Sequence, residues 1–296
     1  MMKFYIVTPS YNALRWLQGC VRSVTDQVGD SVEVHHHIKD GGSTDGTVEW
    51  LKNWQQEHAE LSSYKLTFES ARDAGLYHAI NMAWKKLPAD AEVTAHLNAD
   101  EQYLPGTLAA IAAEMQQNPA ADMLLCSYIV LDKDMRYICH RRPTFPNKTV
   151  SRAITQIVTN ACFYRAASFA KWGIYFDCSF RSLADLVFFR DILAKRPQIL
   201  RMPDLFGCIF VVTGGNVSWS EVTANERKRI SGELPLLLRK LIPLFVKGQG
   251  LWGIVYDYFR REPRGYDIYI ADGEKRTSYS IKHPTHWWHM RSTGES

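Results

Sequence analysis

The sequence predicts an α/β fold with a mostly parallel sheet flanked by helices, and three observations support this prediction. Through the first hundred residues, strand-like apolar runs alternate with helical spacing, and such alternation produces parallel strands. The hydrophobic content of 46% over 296 residues is sufficient for a buried core, without repeats or low-complexity tracts. Polar clusters follow each of the first four strand-like runs, where parallel sheets bind their ligands.

β-Branched and aromatic residues indicate the strands of the first half. They predict strands at residues 3–7, 32–40, 64–70 and 92–100. Apolar residues three or four positions apart predict a helix after each of the first three strands. We expect Ser43 and Thr44 to cap the second helix, because hydroxyl groups accept hydrogen bonds from the first free N–H groups of a helix.

The region after residue 105 has a different order of elements. Its patterns predict a helix near 108–115, a hairpin turning at 132–134, a strand over 159–165 and a helix over 183–195. A strand and the Gly-Gly loop at 205–218 are expected to end the compact part. A basic, apolar C-terminal extension follows from about residue 233.

The charge pattern argues against one class of protein, and the cysteine pattern indicates the compartment. The net charge is +4, and residues 227–296 hold 13 Lys/Arg against 7 Asp/Glu. A modestly basic tail without a recognition motif argues against nucleic-acid binding. Six scattered cysteines, without a C-x-x-C pair, indicate buried thiols of a reducing compartment. Because the first residues enter a strand without a signal-peptide pattern, we expect a cytoplasmic location.

Carboxylates stand at three places that favour a ligand. Asp40 precedes a glycine-rich turn at a helix start, which suits a nucleobase, sugar or phosphate. Asp100 and Glu101 end a buried strand, where a neighbouring cation is needed, and their oxygens suit Mg²⁺ or Mn²⁺. Asp185 begins an apolar helix, either as a site residue or as a partner of the helix dipole.

Taken together, these stretches resemble the family 2 glycosyltransferases, whose fold type is called GT-A. The resemblance rests on TPSYNALRWLQGCVRSV, KDGGSTDGTVEWL, SARDAGLYHAINMAWK, LNADEQYLPGTL, the segment 160–192 and TGGNVS. It extends from residue 3 to about residue 220. It implies an inverting, single in-line displacement at the anomeric carbon of a nucleotide sugar, as in bacterial exopolysaccharide, O-antigen or colanic-acid-type biosynthesis.

The resemblance implies a nucleotide site at matched positions. These positions are Thr8, Pro9, Tyr11, Asp40, Ser43, Asp73 and Asn98. Tyr11 would lie near a uracil-type ring, and Asp40 would hydrogen-bond the edge of the base. Asn98 stands where the family often has the first aspartate of its D-x-D metal motif. This departure leaves the amide oxygen for a ribose contact and removes one charge.

The resemblance also implies the metal and the catalytic base. Asp100, with Glu101 as the second candidate, would hold Mn²⁺ or Mg²⁺, and which of them coordinates directly is left open. Asp185 would take the proton from the acceptor hydroxyl, and a misalignment of one position would give this role to a neighbour such as Asp191. The donor is expected to be UDP- or GDP-linked, and the acceptor a saccharide or a lipid-linked saccharide.

Three regions follow from this interpretation. Residues 1–104 would form the nucleotide-sugar-binding half, 105–225 the acceptor-binding half and 226–296 a basic amphipathic extension. Within the extension, 233–261 is interrupted too often by charges and prolines to span a bilayer. It either lies on the inner face of the cell membrane or packs on protein. The absence of a Q-x-x-R-W signature predicts a non-processive enzyme.

Two alternatives stay open at this point. A sugar nucleotidyltransferase would carry a Gly-rich, Lys/Arg-bearing loop after its first strand, and TPSYNALR is not such a loop. A non-catalytic, membrane-docked subunit with the same fold is favoured by Asn98. The intact carboxylates of Asp100 and Asp185 argue against this second alternative.

Overall fold

The chain folds into a large mixed sheet covered by helices on both faces. The computed structural model describes residues 1–152, 154–213, 221–232, 260–270 and 273–286, with isolated positions between 234 and 248. The strands are β1 (Met2–Ser10), β2 (Val32–Asp40), β3 (Tyr64–Ser70), β4 (Val93–His96), β5 (Gln102–Tyr103), β6 (Met123–Asp132), β7 (Tyr137–Arg141), β8 (Cys162–Arg165), β9 (Ile199–Val212), β10 (Gly265–Tyr269) and β11 (Arg276–Ser280). The helices are α1 (Leu14–Thr25), α2 (Thr47–Glu57), α3 (Leu76–Trp84), α4 (Thr107–Gln117), α5 (Ala166–Trp172), α6 (Ala184–Ala194) and α7 (Glu221–Gly232).

The sheet confirms the predicted α/β class. Among the described residues, nine strands pair in the order β3-β2-β1-β4-β8-β6-β9-β5, with β7 paired to β6. β3, β2, β1 and β4 are parallel, because helices cross over between successive strands of this half. β8 runs antiparallel to β4 and β6, so the second half is mixed. The carboxyl ends of the four parallel strands therefore lie along one edge.

Side chains of β1 alternate between two hydrophobic cores. Phe4 and Ile6 pack with α1, α2 and α4, whereas Tyr5 and Val7 pack with α3 and α6. In the second core, the buried Trp84 of α3 stacks against Phe188 of α6, with 5.6 Å between ring centroids. Burial of such side chains contributes roughly 1.5–3 kcal/mol each. This packing fixes the N-terminal end of α6 relative to α3 and the sheet.

The start of α2 differs from the prediction. The helix begins at Thr47, and its first free groups are capped by Asp45, whose Oδ1 accepts hydrogen bonds from Thr47 N at 3.2 Å and Thr47 Oγ1 at 2.6 Å. The expectation that Ser43 and Thr44 cap this helix is therefore wrong. Ser43 hydrogen-bonds Asp40 instead, because the turn after β2 folds back on the strand end.

The described part of the C-terminal region contains a hairpin, β10–β11, that the sequence analysis did not predict. Tyr269 exchanges two hydrogen bonds of 2.8 Å with the side chain of Gln102, and Arg276 contacts Asp26 at 2.6 Å. This part packs on α1 and β5 and is not a free basic appendage. Most of 233–261 lies outside the described residues. The proposed boundary after residue 225 falls inside α7, and the division into three regions stays a prediction.

Every helix in the described ranges is too short or too polar to cross a bilayer.

Candidate active site

The loops after β1 and β2 form one wall at the carboxyl edge of the sheet. Ser10 and Asp40 are register partners at the two strand ends. Beyond them, Asn12 N donates to Ser43 Oγ at 2.8 Å, and Thr44 N donates to Asn12 Oδ1 at 2.8 Å. Asn12 adopts a left-handed φ of 46°, which asparagine tolerates better than most residues. These bonds fix the two loops to each other.

Asp40 is fully buried and shapes the turn that follows it. Its Oδ2 accepts hydrogen bonds from Gly42 N at 3.0 Å, Ser43 N at 2.9 Å and Ser70 Oγ at 2.6 Å. Its Oδ1 accepts a short hydrogen bond from Ser43 Oγ. Both carboxylate oxygens are thus used within the chain. Contacts of Asp40 and Ser43 with a nucleobase stay predictions.

The side chains of Tyr11 and Asp73 define a position above Gly41, named the slot. A Cβ atom at this glycine would lie 3.2 Å from the Tyr11 ring and 3.2 Å from Asp73 Oδ2, so these two side chains flank the glycine. Tyr11 is 67% exposed, and its ring is available to a planar ligand. Asp73 Oδ1 accepts a hydrogen bond from Gly75 N at 2.8 Å, which holds the loop before α3. The structure thus brings two predicted nucleotide residues together.

Thr8 and Pro9 lie near the end of β1, just before Tyr11. Both residues are buried, and Thr8 Oγ1 hydrogen-bonds His36 Nε2 at 2.8 Å within the sheet. The side chain of Thr8 is therefore directed to the core, and only its backbone is left for a ligand. The predicted role of Thr8 and Pro9 in a base pocket stays a prediction.

The buried side chain of Lys39 lies close to the acidic residue Asp73. Lys39 is 1% exposed, and its Nζ donates hydrogen bonds of 2.7 Å to the carbonyl oxygens of Asp40 and Ala71. The same Nζ lies 3.6 Å from Asp73 Oδ2. Because a lysine is buried only when its charge is compensated, these partners account for its position. Lys39 ties the loops after β2 and β3 together below the slot.

Two carboxyl groups follow β4, and among the described residues neither has a cation beside it. Glu101 is 1% exposed and accepts a hydrogen bond from Asn98 N at 2.8 Å, whereas Asp100 is only half-buried. Burial raises the pKa of both carboxyl groups, and the charge of Asp100 raises the pKa of Glu101 further. Within the described ranges, no Lys, Arg or His forms an ion pair with either of them.

The donor atoms after β4 fit a divalent cation. The buried Oδ1 of Asn98 has no hydrogen-bond partner in the described part of the chain. This oxygen and the half-buried carboxylate of Asp100 are hard ligands, and a bound cation would offset the cost of burying the two carboxylates. Three His, Cys, Asp or Glu side chains do not converge anywhere in the described residues. A cation held here would therefore need further ligands from a bound substrate.

Asp185 lies in the first turn of α6, half-buried. Burial, followed by the negative charge of Glu226, raises the pKa of Asp185 to about 6. From α3, Tyr77 donates a hydrogen bond of 3.2 Å to the carbonyl oxygen of Ser182, just before α6. The alternative residue, Asp191, is 46% exposed and paired with Arg190 at 2.9 Å. A carboxyl group with a pKa near neutrality suits proton abstraction, which favours Asp185.

These contacts connect the predicted regions along one edge of the sheet. Asp40 lies beside Ser10 of β1, and β1 is paired on its other side with β4, which leads to Asp100. Asp73 precedes α3, and α3 contacts the loop before Asp185 through Tyr77. That the three carboxylates of Asp40, Asp100 and Asp185 share one cleft stays a prediction.

Comparison with known proteins decides the family. The family described as Glycosyl transferase family 2 matches residues 5–173, which is more than half of the chain. The chain belongs to this family. It is therefore a glycosyltransferase, and family membership favours this function over both the nucleotidyltransferase and the non-catalytic alternatives.

Solved structures support the fold of this family 2 glycosyltransferase. It matches S. aureus TarS 1-349 in complex with UDP-GlcNAc with a TM-score of 0.60 and 16% identity, covering 95% of this chain and 100% of that one. The mannosyltransferase PcManGT from Pyrobaculum calidifontis, in complex with GDP-Man and Mn²⁺, matches with a TM-score of 0.57 and 15% identity, covering 88% and 76%. At these identities the likeness shows the fold alone. No curated protein matches the sequence significantly.

Sequence reasoning missed three residues that shape the candidate site. Lys39 could have been noticed as a lysine between Ile38 and Asp40 at the end of a predicted strand. Tyr77 and Glu226 carry no sequence signal, because their contacts are made to a loop more than 40 positions away. The TGGNVS loop, predicted to follow the acceptor segment, lies almost wholly outside the described residues.

Proposed function

We propose that this glycosyltransferase moves one sugar from a nucleoside diphosphate sugar to a saccharide hydroxyl, with inversion and with the help of a divalent cation. The observation that carries the proposal is the buried Glu101 and the half-buried Asp100, which have no cationic partner in the described part of the chain and lie beside the unpartnered oxygen of Asn98. The donors named with the two structural neighbours, UDP-GlcNAc and GDP-Man, support a nucleotide sugar.

The nucleotide would occupy the slot above Gly41. The exposed ring of Tyr11 offers a stacking surface for a base, and glycine lets the base approach the backbone closely. Asp73 at the other side of the slot would accept hydrogen bonds from the nucleoside, with Lys39 balancing its charge from below. Whether the base is uracil or guanine depends on hydrogen bonds at its edge.

Asp100 is proposed as the direct metal ligand. Glu101 is enclosed and holds the backbone of Asn98, whereas Asp100 is more exposed to a ligand. Asp100, with Asn98 Oδ1 as a neighbouring donor, would hold Mn²⁺ or Mg²⁺. When bound, such an ion supplies positive charge near the diphosphate leaving group. The Mn²⁺ named with PcManGT supports this proposal.

Asp185 is proposed as the general base. Its carboxylate would take the proton of the acceptor hydroxyl while the hydroxyl oxygen forms a bond to the anomeric carbon. The bond between that carbon and the diphosphate oxygen breaks, and the nucleoside diphosphate leaves with the electron pair. Attack from the side opposite the leaving group inverts the configuration. A pKa of about 6 leaves Asp185 largely ionised at neutral pH.

A basic cavity supports a phosphate-bearing acceptor. A cavity of about 420 Å³ is lined by Lys148 and Arg152, by the ion pair Arg190–Asp191, and by the apolar Ile230 and Leu234. Cations beside apolar side chains suit a phosphate attached to a lipid, as in the lipid-linked saccharides of surface polysaccharide assembly. Such an acceptor would place the enzyme on the inner face of the cell membrane, with its basic C-terminal region towards anionic lipid.

Donor binding and transfer test the proposal separately. Thermal stability of the full chain is measured with UDP, GDP, UDP-GlcNAc and GDP-mannose, each with and without Mn²⁺. We expect one nucleotide series to stabilise the chain in a Mn²⁺-dependent manner, and Asp100→Asn to abolish that dependence. Asp185→Asn should still bind donor but lose transfer. Full transfer activity in both variants would refute the assigned roles.

A further inference from the structure

Glu226 of α7 holds the chain just before α6. Its Oε1 accepts a hydrogen bond from Arg181 N at 2.6 Å, and its Oε2 accepts from Ser182 N at 3.0 Å and Leu183 N at 2.9 Å. The first N–H groups of a helix have no partner within the helix, and α6 has no side-chain cap of its own at Leu183. Of the three donors, Leu183 N belongs to the N-cap residue of α6 and the other two lie in the loop before it. One carboxylate from another helix therefore holds the chain that leads into α6.

Further contacts of α7 converge on the same loop. Thr223 Oγ1 lies 2.7 Å from Ser182 Oγ, and the Arg229 guanidinium lies over the Phe180 ring at 4.2 Å. Residues 223, 226 and 229 are three positions apart, so they share one face of α7. On the other side of the loop, Tyr77 of α3 donates to the Ser182 carbonyl oxygen. The loop is thereby fixed between two helices, two residues before Asp185.

We propose that Glu226 is the positioning residue for Asp185, because it fixes the start of α6 and adds a negative charge next to the base. This inference rests on the proposed function, in which Asp185 takes the acceptor proton. A general base must be held close to its reacting geometry, and small displacements of catalytic groups cost on the order of a hundredfold in rate. The hydrogen bonds of Glu226 give the loop that rigidity without touching substrate.

The charge of Glu226 also tunes Asp185. In the described part of the chain, the titratable groups that interact with Asp185 are Glu226 from α7 and Tyr77 from α3. After burial, the Glu226 charge is the remaining cause that raises the pKa of Asp185 to about 6. Removing this charge should lower the pKa of Asp185, so that the base stays ionised at more acidic pH.

Two variants separate position from charge. Glu226→Gln keeps the length of the side chain and removes its charge, whereas Glu226→Asp keeps the charge and shortens the reach. The matched control is Glu221→Gln, which removes the same charge from an exposed position of α7. All variants are made in the full chain.

Two measurements need no identified donor. Backbone hydrogen exchange of residues 181–183 should become about tenfold faster or more in both Glu226 variants, because hydrogen bonds to a carboxylate are lost. Titration of the Asp185 carboxyl carbon by NMR, assigned with Asp185→Asn, should show a lower pKa in Glu226→Gln and little change in Glu226→Asp. Unchanged exchange of β1 shows that a variant has folded.

The rate of sugar transfer is the third measurement, and it is made once a donor has been found. Both Glu226 variants should lose transfer on the order of tenfold to a hundredfold, with KM for the donor nearly unchanged. In addition, the acidic limb of the pH profile should move to lower pH in Glu226→Gln alone. If Glu226→Gln matches Glu221→Gln in exchange and in the pKa of Asp185, the inference is overturned. If Asp185→Asn retains full transfer, the proposed base fails instead, so the two failures are distinguishable.

Discussion

Replacing Asp185 with asparagine should stabilise the folded chain at neutral pH while abolishing transfer. The side chain of asparagine has nearly the same size, and its carbonyl oxygen can still accept the 2.8 Å hydrogen bond from Leu186 N. The substitution removes only the charge, which the fold has to bury in the first turn of α6. A gain in stability would thus identify a group kept for its chemistry.

The size of this gain in stability follows from the raised pKa of the half-buried Asp185 carboxyl group. Burial, with the Glu226 charge, raises its pKa from 3.8 to about 6. The folded chain therefore binds this proton more tightly than the unfolded chain, and the free energy of unfolding decreases as pH rises through this interval. The difference in pKa corresponds to roughly 3 kcal/mol, and screening of a half-buried group reduces the expected gain to about 2 kcal/mol.

Urea unfolding of the wild-type chain and the variant checks this number. At about pH 7.5 the variant should be more stable by about 2 kcal/mol, and at about pH 4 the two should be nearly equal. Asp191→Asn is the control, because Asp191 is exposed and paired with Arg190, and its loss should cost no more than about 1 kcal/mol. An Asp185 variant that is destabilised at neutral pH would show that burial does not disfavour the carboxylate.

Three further outcomes are expected. Lys39→Met should lower the free energy of unfolding by about 3 kcal/mol, because it leaves Asp73 and two carbonyl groups without their buried cation. Urea unfolding measures this loss, and Lys52→Met, at an exposed position, is the control. Tyr11→Ala should weaken binding of the stabilising nucleotide about tenfold in calorimetry through loss of stacking, with little effect on stability. Arg276→Ala should increase hydrogen exchange in β10–β11 by removing its contacts with Asp26, and unchanged exchange there would contradict this role.

Local patterns were sufficient for most of the fold. The strands at 32–40 and 64–70 and the helix at 183–195 were predicted within a residue or two, because apolar spacing records which side chains face a core. The prediction of the residues that cap α2 was wrong, since Asp45, and not Ser43, caps this helix. The choice between two nearby capping residues depends on the contact of Asp45 with Leu14, which lies 31 positions earlier.

The candidate site was predictable only in its linear motifs. Asp40, Asp73 and Asp100 stand in stretches that resemble the family, so their positions could be proposed from sequence. The surroundings of these residues could not be predicted from sequence, because Lys39 and Glu226 hydrogen-bond backbone groups of loops that are distant in the chain. Every residue has a backbone carbonyl group and every residue except proline a backbone N–H group, so such contacts leave no trace in residue identity.

The hairpin β10–β11 gives the far end of the chain a mechanical link to the site. The backbone N–H and carbonyl groups of Tyr269 both hydrogen-bond the side chain of Gln102, the residue that directly follows Glu101. A shortened chain without the hairpin would leave a buried glutamine amide unpaired at that position. The hairpin therefore supports the chain directly after the two carboxyl groups through Gln102 of β5, beside the contacts of Tyr269 and Arg276 with Asp26.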